Sequence, residues 1–365
     1  MNKNKLCVVF TGTVASTLAP KICEAFQNDF EVTTVFTKKA LYFYNPFRSM
    51  NSETPFCDSY LDDETEWKGL PVGGYVKQQE IPHVDLATQN DVLLIIASAD
   101  FLAKMTNGIC DDLASSLYRA WRRHRPVIVA PAMNSYMWNH PVTQEHLNTL
   151  KSWNVNIVYP QEKMLACGEV GMGALAEIQF IKEIVDKSIK PIFPLDINDC
   201  SGIPVGKDHP GSFLGKRKFA PHTGVDLYCN NSTPVFCMAP GVVVSVEDFT
   251  GTGDNSTWWE DTKCVLIRHS FGTVCYGEIE PAFGIKEGLE VSCGSIIGNV
   301  KRVLKPGKER PDIPGHKTSM LHIELYPVEQ KTASKSYEQD KEVLRNPTDM
   351  LIKAWGENPV ILTKE

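Results

Sequence analysis

The first half of the chain alternates short apolar runs with amphipathic stretches, and that alternation leaves few folds open. The runs are KLCVVFTG, EVTTVFT, DVLLIIASA, PVIVAPA and NVNIVYP, with KICEAF and DLASSLYRAW among the stretches between them. Near-continuous apolar runs of this length suit strands buried on both faces, and the amphipathic stretches suit the helices that cover them. The pattern predicts an α/β domain over residues 1–188, with a Rossmann-like parallel sheet.

The text then changes. KPIFPLDINDCSGIPVGKDHPGSF, rich in Pro, Gly and Asp, reads as a linker or lead-in strand over 189–215. Beyond it, short β-branched runs punctuated by Gly (PVFCMAPGVVVSVED, KCVLIRHSFGTVCYGEI, LEVSCGSIIGNV, MLHIELY) predict a mainly antiparallel β domain over 216–352. Residues 353–365 are left as a tail. A chain of 365 residues is long enough for two cores.

A net charge of −7 argues against a nucleic-acid binder, which needs surplus Lys and Arg. No run approaches the ~20 apolar residues of a membrane span, so no membrane partner is expected. The opening apolar run is cut at Thr11 and Gly12 and reads as a strand rather than a signal peptide. Eleven cysteines without a C-x-x-C pair point to a reducing cytoplasm.

In such sheets ligands gather at the carboxyl ends of the strands. Those ends here carry FTGTVAST, FTKKALYF, IASADFLAK and PAMNSYMW, which are rich in small and hydroxylated residues. The first lacks the G-x-G-x-x-G pattern. Further on, MLACGEVGMGALAE sets three glycines around Cys167, as a mobile flap bearing a thiol would.

Five ordered motifs, DDETEW, HVDLA, GICDDL, PAMNSYMWNHP and ACGEVGMGALAE, carry a resemblance over some 175 residues. In them the chain resembles the homo-oligomeric, flavin-containing cysteine decarboxylases, most of all those acting on phosphopantothenoylcysteine. The resemblance implies a flavoprotein domain with FMN held by Gly12, Thr13, Val14, Thr37, Ser98, Ala99, Asp100, Phe101 and Ala132. It makes His83 the catalytic histidine and Cys167 the late proton donor. Asn134 would grip the substrate carboxylate beside Met133, with Ala166, Gly168, Gly171 and Gly173 forming a clamp. A homo-oligomer, a homotrimer by family habit, is implied as well.

The implied reaction converts 4'-phosphopantothenoylcysteine to 4'-phosphopantetheine in coenzyme A biosynthesis, through a thioaldehyde and an ene-thiol. A cysteine carboxylate cannot simply lose carbon dioxide, because the carbanion left behind has no sink. Oxidation of the thiol first creates a C=S bond that accepts the electrons. Orientation and proton management are then what the protein supplies, and imidazole titrates in the range that such management needs. A peptide with a C-terminal cysteine is an alternative substrate. A non-catalytic interaction protein is another reading, because Asp100 and Phe101 stand where the family has an amide and a hydroxyl.

In the second half, PHTGVDLYC sets His222 and Asp226 four apart, and MLHIELY adds His322 on a strand. Alternation puts Met320, His322 and Glu324 on one strand face. Two His and one Asp with an open position suit zinc. The order of these motifs over roughly 216–350 resembles the lysostaphin- and LytM-type zinc metallopeptidases, whose metal ligands are matched by His222, Asp226 and His322. Glu278 and Met320 replace that family's two catalytic histidines, so the resemblance implies a zinc ion at most and no working peptidase.

Overall fold

The computed structural model describes residues 3–46, 57, 59–67, 80–122, 124–164, 168, 170–218, 220–251, 259–308, 310–327, 330–334 and 337–364. Ala166 and Cys167 of the expected clamp lie outside them. The chain divides into two compact units, Met1–Ile189 and Lys190–Glu365.

In the first unit, β1 (Asn4–Phe10) leads through α1 (Ala19–Gln27) to β2 (Phe30–Phe36), then to β3 (Ser59–Asp62) and the short α2 (Asp63–Glu66). There follow α3 (Pro82–Gln89), β4 (Val92–Ala97), α4 (Ala99–Asn107), α5 (Leu113–Ala120) and β5 (Val127–Pro131). The unit continues with α6 (Ser135–Asn139), α7 (Pro141–Ser152), β6 (Asn156–Ile157), the hairpin β7 (Gln161–Met164) and β8 (Val170–Ala174), and α8 (Ile178–Ile189). Six parallel strands pair in the order β3-β2-β1-β4-β5-β6. The order reverses at β1, where the crossovers to either side leave a crevice at the strand ends.

The apolar runs are continuous because both faces are covered. Leu6, Val8, Phe10, Leu94 and Ile96 pack with Ile22 and Phe26 of α1 and Ile181 of α8. Their neighbours Cys7, Val9, Leu93 and Ile95 pack on the other face with Leu102, Leu117 and Leu147. Each fully buried Leu or Ile contributes about 1.5–3 kcal/mol of transfer free energy.

The second unit holds β9 (Ile203–Pro204), β10 (Val225–Tyr228), β11 (Pro234–Phe236), β12 (Gly241–Asp248), β13 (Lys263–His269) and β14 (Gly272–Pro281). After them come β15 (Glu290–Val291), β16 (Ile296–Val300), β17 (Met320–Tyr326), α9 (Tyr337–Asp340), α10 (Thr348–Trp355) and β18 (Ile361–Leu362). An antiparallel sheet runs β10-β17-β14-β13-β12-β15, with β11 and β16 joined through β14.

The 189–215 stretch does not hang between the units. Phe193, Leu195, Cys200 and Ile203 are buried in the second unit's core, where the Phe193 ring meets Trp355 at 4.8 Å. The tail is tied in too, since Ile361 and Leu362 pair with Ile203 and Pro204. Composition left a linker or a lead-in strand open, because Pro and Gly are also what an irregular but packed segment requires.

Candidate functional site

A cavity of about 410 Å³ opens where β1, β2 and β4 end, lined by Thr11, Gly12, Thr37, Ser98, Asp100 and Phe101 of those ends, with Lys38, Lys39 and Tyr42 after β2. Its far wall is charged, with Asp63, Lys104, Asp111 and Asp112. Thr11 fastens the crevice: its Oγ1 donates to the Ile96 carbonyl at 2.8 Å and accepts from the Ser98 amide at 2.7 Å. Ser98 caps α4, its Oγ accepting from the Phe101 amide. Gly12 is needed for closeness, since a Cβ there would stand 2.7 Å from the Lys39 Cβ. Lysines, small residues and a capped nine-residue helix make a cradle suited to an anionic, flat cofactor.

Of the residues expected to hold FMN, Gly12, Thr37, Ser98, Asp100 and Phe101 line this cavity. Thr13 caps the 3-10 turn that begins at Val14, an exposed residue, and Ala99 opens α4. Ala132 is tied to the end of β4 through its amide, which donates to the Ala97 carbonyl at 2.9 Å. Asp100 forms an exposed ion pair with Lys39 at 3.0 Å, while Phe101 is buried with the apolar core. Thr11, Lys38, Lys39, Asp63, Lys104, Asp111 and Asp112 fall inside the strand-end stretches and motifs of the sequence but had no role assigned to them there. Burial opposes the charge of Lys104, but Asp111 and Asp112, each 2.6 Å from its ammonium, outweigh burial and raise its pKa.

His83 is the second residue of α3, behind the helix-opening Pro82. Its Nδ1 lies 2.6 Å from Glu66 Oε1, and the Glu66 side chain is 4% exposed against 24% for the histidine. Local sequence sets Glu66 in place: Asp62 and Thr65 form a reciprocal capping box that starts α2, and Glu66 ends it. Asp63 ties the same turn to the cavity, accepting from the amides of Leu113 at 2.9 Å and Lys38 at 3.3 Å. Burial pushes the Asp63 carboxyl up against those donors.

Asn134 caps α6, its Oδ1 accepting from the Met137 amide at 2.8 Å, so its Nδ2 is the donor left for an anion. The β7–β8 hairpin docks directly on this loop. The Met133 amide donates to the Gly173 carbonyl at 2.9 Å. A Cβ on Gly171 would lie 2.2 Å from Ser135 Oγ, and one on Gly173 would lie 2.1 Å from the Met133 carbonyl oxygen. Gly168, on the turn, has φ +85 with open space around it. The hairpin glycines and Asn134, some 35 positions apart in sequence, thus share one place.

In the second unit His222, Asp226 and His322 are buried, with one potential ligand atom from each lying within 4.8 Å of the others. Asp226 sits directly opposite His322 across β10 and β17. Asp226 Oδ1 lies 2.8 Å from His322 Nδ1 and 3.2 Å from His222 Nε2, and those two nitrogens are 3.1 Å apart. The outer contacts suit ligands. His222 Nδ1 faces the Ser212 carbonyl at 3.0 Å, which directs the Nε2 lone pair inward. Glu324 Oε1 lies 3.3 Å from His322 Nε2, Tyr326 donates to Glu324 at 2.6 Å, and Arg217 holds the other Asp226 oxygen.

Burial, helped by Arg217, pushes His222 down to about 4. His322 goes the other way: burial opposes its charge, but Asp226 and Glu324 outweigh it and raise the pKa to about 10. Asp226 and Glu324 thus favour the charged form of the His322 ring. Glu278 is buried too, and desolvation plus the Asp226 charge push it up to about 8.

A parallel sheet with a cofactor-sized crevice at its switch point defines the first unit as a nucleotide-cofactor α/β domain. The chain belongs to the Flavoprotein family, whose model matches residues 1–190. It is 34% identical over 212 residues to a phosphopantothenoylcysteine decarboxylase of Oryza sativa subsp. japonica, covering 58% of this chain and 92% of that one. A phosphopantothenoylcysteine decarboxylase of Arabidopsis thaliana is 35% identical over 184 residues, covering 50% and 84%. A solved mutant PPC decarboxylase, complexed with pantothenoylaminoethenethiol, is 33% identical over 51% of this chain and 98% of that one, with a TM-score of 0.47.

Proposed function

We propose that the first unit is an FMN-dependent carboxy-lyase acting on a small cysteine conjugate, 4'-phosphopantothenoylcysteine first among candidates. The observation that carries this reading is the cavity of about 410 Å³ at the strand ends, whose cradle a Cβ at Gly12 would fill. The residues fit the cofactor: Gly12, Thr37 and Ser98 allow a flat ring and its phosphate close to backbone donors, and Lys38 and Lys39 supply positive charge. Bound FMN would supply a two-electron store, taking electrons on oxidation of the thiol and giving them back to the ene-thiol.

The chain's own residues do the rest. Asn134 offers its Nδ2 to the substrate carboxylate and holds it for loss of carbon dioxide. His83, steadied by Glu66, takes the thiol proton, and Cys167 returns a proton to the product. The docked hairpin brings Gly171 and Gly173 over Asn134 and excludes water. Exposed Tyr136, Met137, Met164 and Val170 around this loop support a homo-oligomer, a trimer in this reading. The described cysteines are free thiols, which supports a reducing, cytoplasmic location. Among the described residues no helix is long and apolar enough to cross a membrane.

For the second unit the proposal is a metallopeptidase-like domain with one zinc ion on His222, Asp226 and His322, and no cleavage of cell-wall peptides. Its support is the convergence of three ligand atoms backed by Ser212, Glu324 and Arg217.

The decisive experiment is an absorption spectrum of the purified chain with added FMN, followed by carbon dioxide release from phosphopantothenoylcysteine. Yellow protein that releases carbon dioxide supports the reading, and a chain that ignores FMN sinks it. A cysteine-terminated peptide preferred over the small conjugate would move the substrate class to peptides.

A further inference from the structure

The polar centre of the second unit contains one more group than the metal trio uses. Pairing of β14 with β13 runs Cys264 to Gly277 and then Lys263 to Ile279, so Glu278 is an extra residue, a β-bulge. Its backbone is left-handed, φ 64, a conformation that a long side chain rarely adopts. The bulge has a definite consequence for direction. Tyr276 and Ile279, three apart rather than two, both sit in the apolar core.

Gly277 and Glu278 are therefore both left to the opposite face. Gly277 pairs directly with His322, which pairs with Asp226, so that face is the one carrying the trio. An unbulged strand would send either Glu278 or Ile279 to the wrong side. Glu278 is 6% exposed, and its Oε2 has no hydrogen-bond partner among the described residues. A buried carboxyl oxygen left unpaired on the face that carries the trio points to a missing partner.

We propose that Glu278 completes a divalent-metal centre, accepting the hydrogen bond of a water in the fourth coordination position and taking that water's proton. The inference rests on the metal reading of His222, Asp226 and His322. Glu278 is not one of the three residues whose ligand atoms converge within 4.8 Å, so the role proposed for it runs through a water and not through a direct bond. In the step an O–H bond of the water breaks, the proton passes to a Glu278 oxygen, and the electron pair stays on the water oxygen. Nothing is oxidised or reduced. Two imidazoles with carboxylate suit zinc or cobalt better than calcium or magnesium, which prefer oxygen ligands alone.

The test uses the full chain, with cobalt(II) alone as the probe and its visible absorption as the readout. Parent and Glu278→Gln are each expected to take up about one equivalent, while His322→Ala takes up none. On raising the pH, the spectral midpoint that reports ionisation of the water should lie at least about one unit higher in Glu278→Gln, a tenfold weaker acid, with Glu278→Asp between. Equal midpoints in parent and Glu278→Gln would overturn the role of Glu278 while leaving the trio in place. So would loss of cobalt from a Glu278→Gln protein that melts normally without metal, because Glu278 would then be a direct ligand. A parent chain that shows no cobalt spectrum removes the metal reading and this inference together.

Discussion

Glu66 and His83 form a close pair, Oε1 to Nδ1 at 2.6 Å, in which the carboxylate is buried and the imidazole half open. With Nδ1 bound to the carboxylate, the ring is fixed in orientation and Nε2 is the nitrogen left for substrate. Seventeen positions separate the two residues, and α2, opened by the Asp62–Thr65 capping box, ends at Glu66 and so sets the carboxylate in place. A buried carboxylate bound to one imidazole nitrogen is what the proposed proton-handling role of His83 calls for.

Glu66→Gln should therefore slow turnover by roughly 10²-fold, the scale of general acid–base assistance, with little change in bound FMN. Stopped-flow flavin reduction checks this. An unchanged rate of flavin reduction in Glu66→Gln would make Glu66 a packing residue only.

The docked hairpin gives a second test through two glycines of opposite sensitivity. At Gly173, with φ 139, a Cβ would stand 2.1 Å from the Met133 carbonyl oxygen, so Gly173→Ala must push the hairpin off Asn134. We expect a loss of about 1–3 kcal/mol and a large rise in KM for substrate. Gly168→Ala meets nothing within 4 Å among the described residues and should cost about 1–2 kcal/mol of backbone strain without the rise in KM. Melting curves and steady-state kinetics on both variants separate clash from strain.

Asp100 departs from the family pattern, and its pairing with Lys39 decides how much that matters. The side chains are 51% and 66% exposed, and a pair this open is worth about 0–1 kcal/mol. Lys39 thus remains available to an incoming phosphate, and FMN binding should survive Asp100. Asp100→Asn should tighten FMN about 3- to 10-fold at low salt, a gain that fades near 1 M salt, where screening is nearly complete. Fluorescence quenching titrations at two ionic strengths measure it.

The sheet was legible in the sequence because strands buried on both faces leave a simple trace, a run of apolar residues broken only at the ends. The strand-end stretches were legible for the same reason, since the breaks mark the crevice, whereas Gly12, Thr37 and Ser98 were named through the family resemblance and line the cavity. Asp63, Lys104, Asp111 and Asp112 lie within quoted stretches, yet their place in the cavity was not legible, because charges at helix ends look alike whether they face water or a cavity. A cue did exist at Asp62 and Thr65, whose spacing announces a helix start and so locates Glu66. On β17, two-residue alternation placed His322 and Glu324 on one face, and the structure brings them within 3.3 Å. On β14 the same rule fails at Glu278, because a bulge adds a residue without a sequence mark beyond the preceding Gly277.

That contrast sets up the last prediction, which concerns Glu324 behind His322. Glu324 is fully buried and takes hydrogen bonds from Tyr326 at 2.6 Å and the Ser334 amide at 3.2 Å, so its carboxylate is held with little freedom. It lies 3.3 Å from His322 Nε2, on the side of the ring away from Asp226. A carboxylate in that position makes a ligating imidazole more basic and fixes which nitrogen faces the metal. Glu324→Gln should weaken zinc binding by about 10- to 100-fold, the usual effect of removing such a partner. Tyr326→Phe, which removes only the donor to that carboxylate, should weaken it less. Competition titrations against a chromophoric zinc chelator give both constants, with melting of the metal-free proteins as the control for folding. If Glu324→Gln binds zinc as tightly as the parent, Glu324 serves the strand pairing alone and the imidazole is oriented by Asp226.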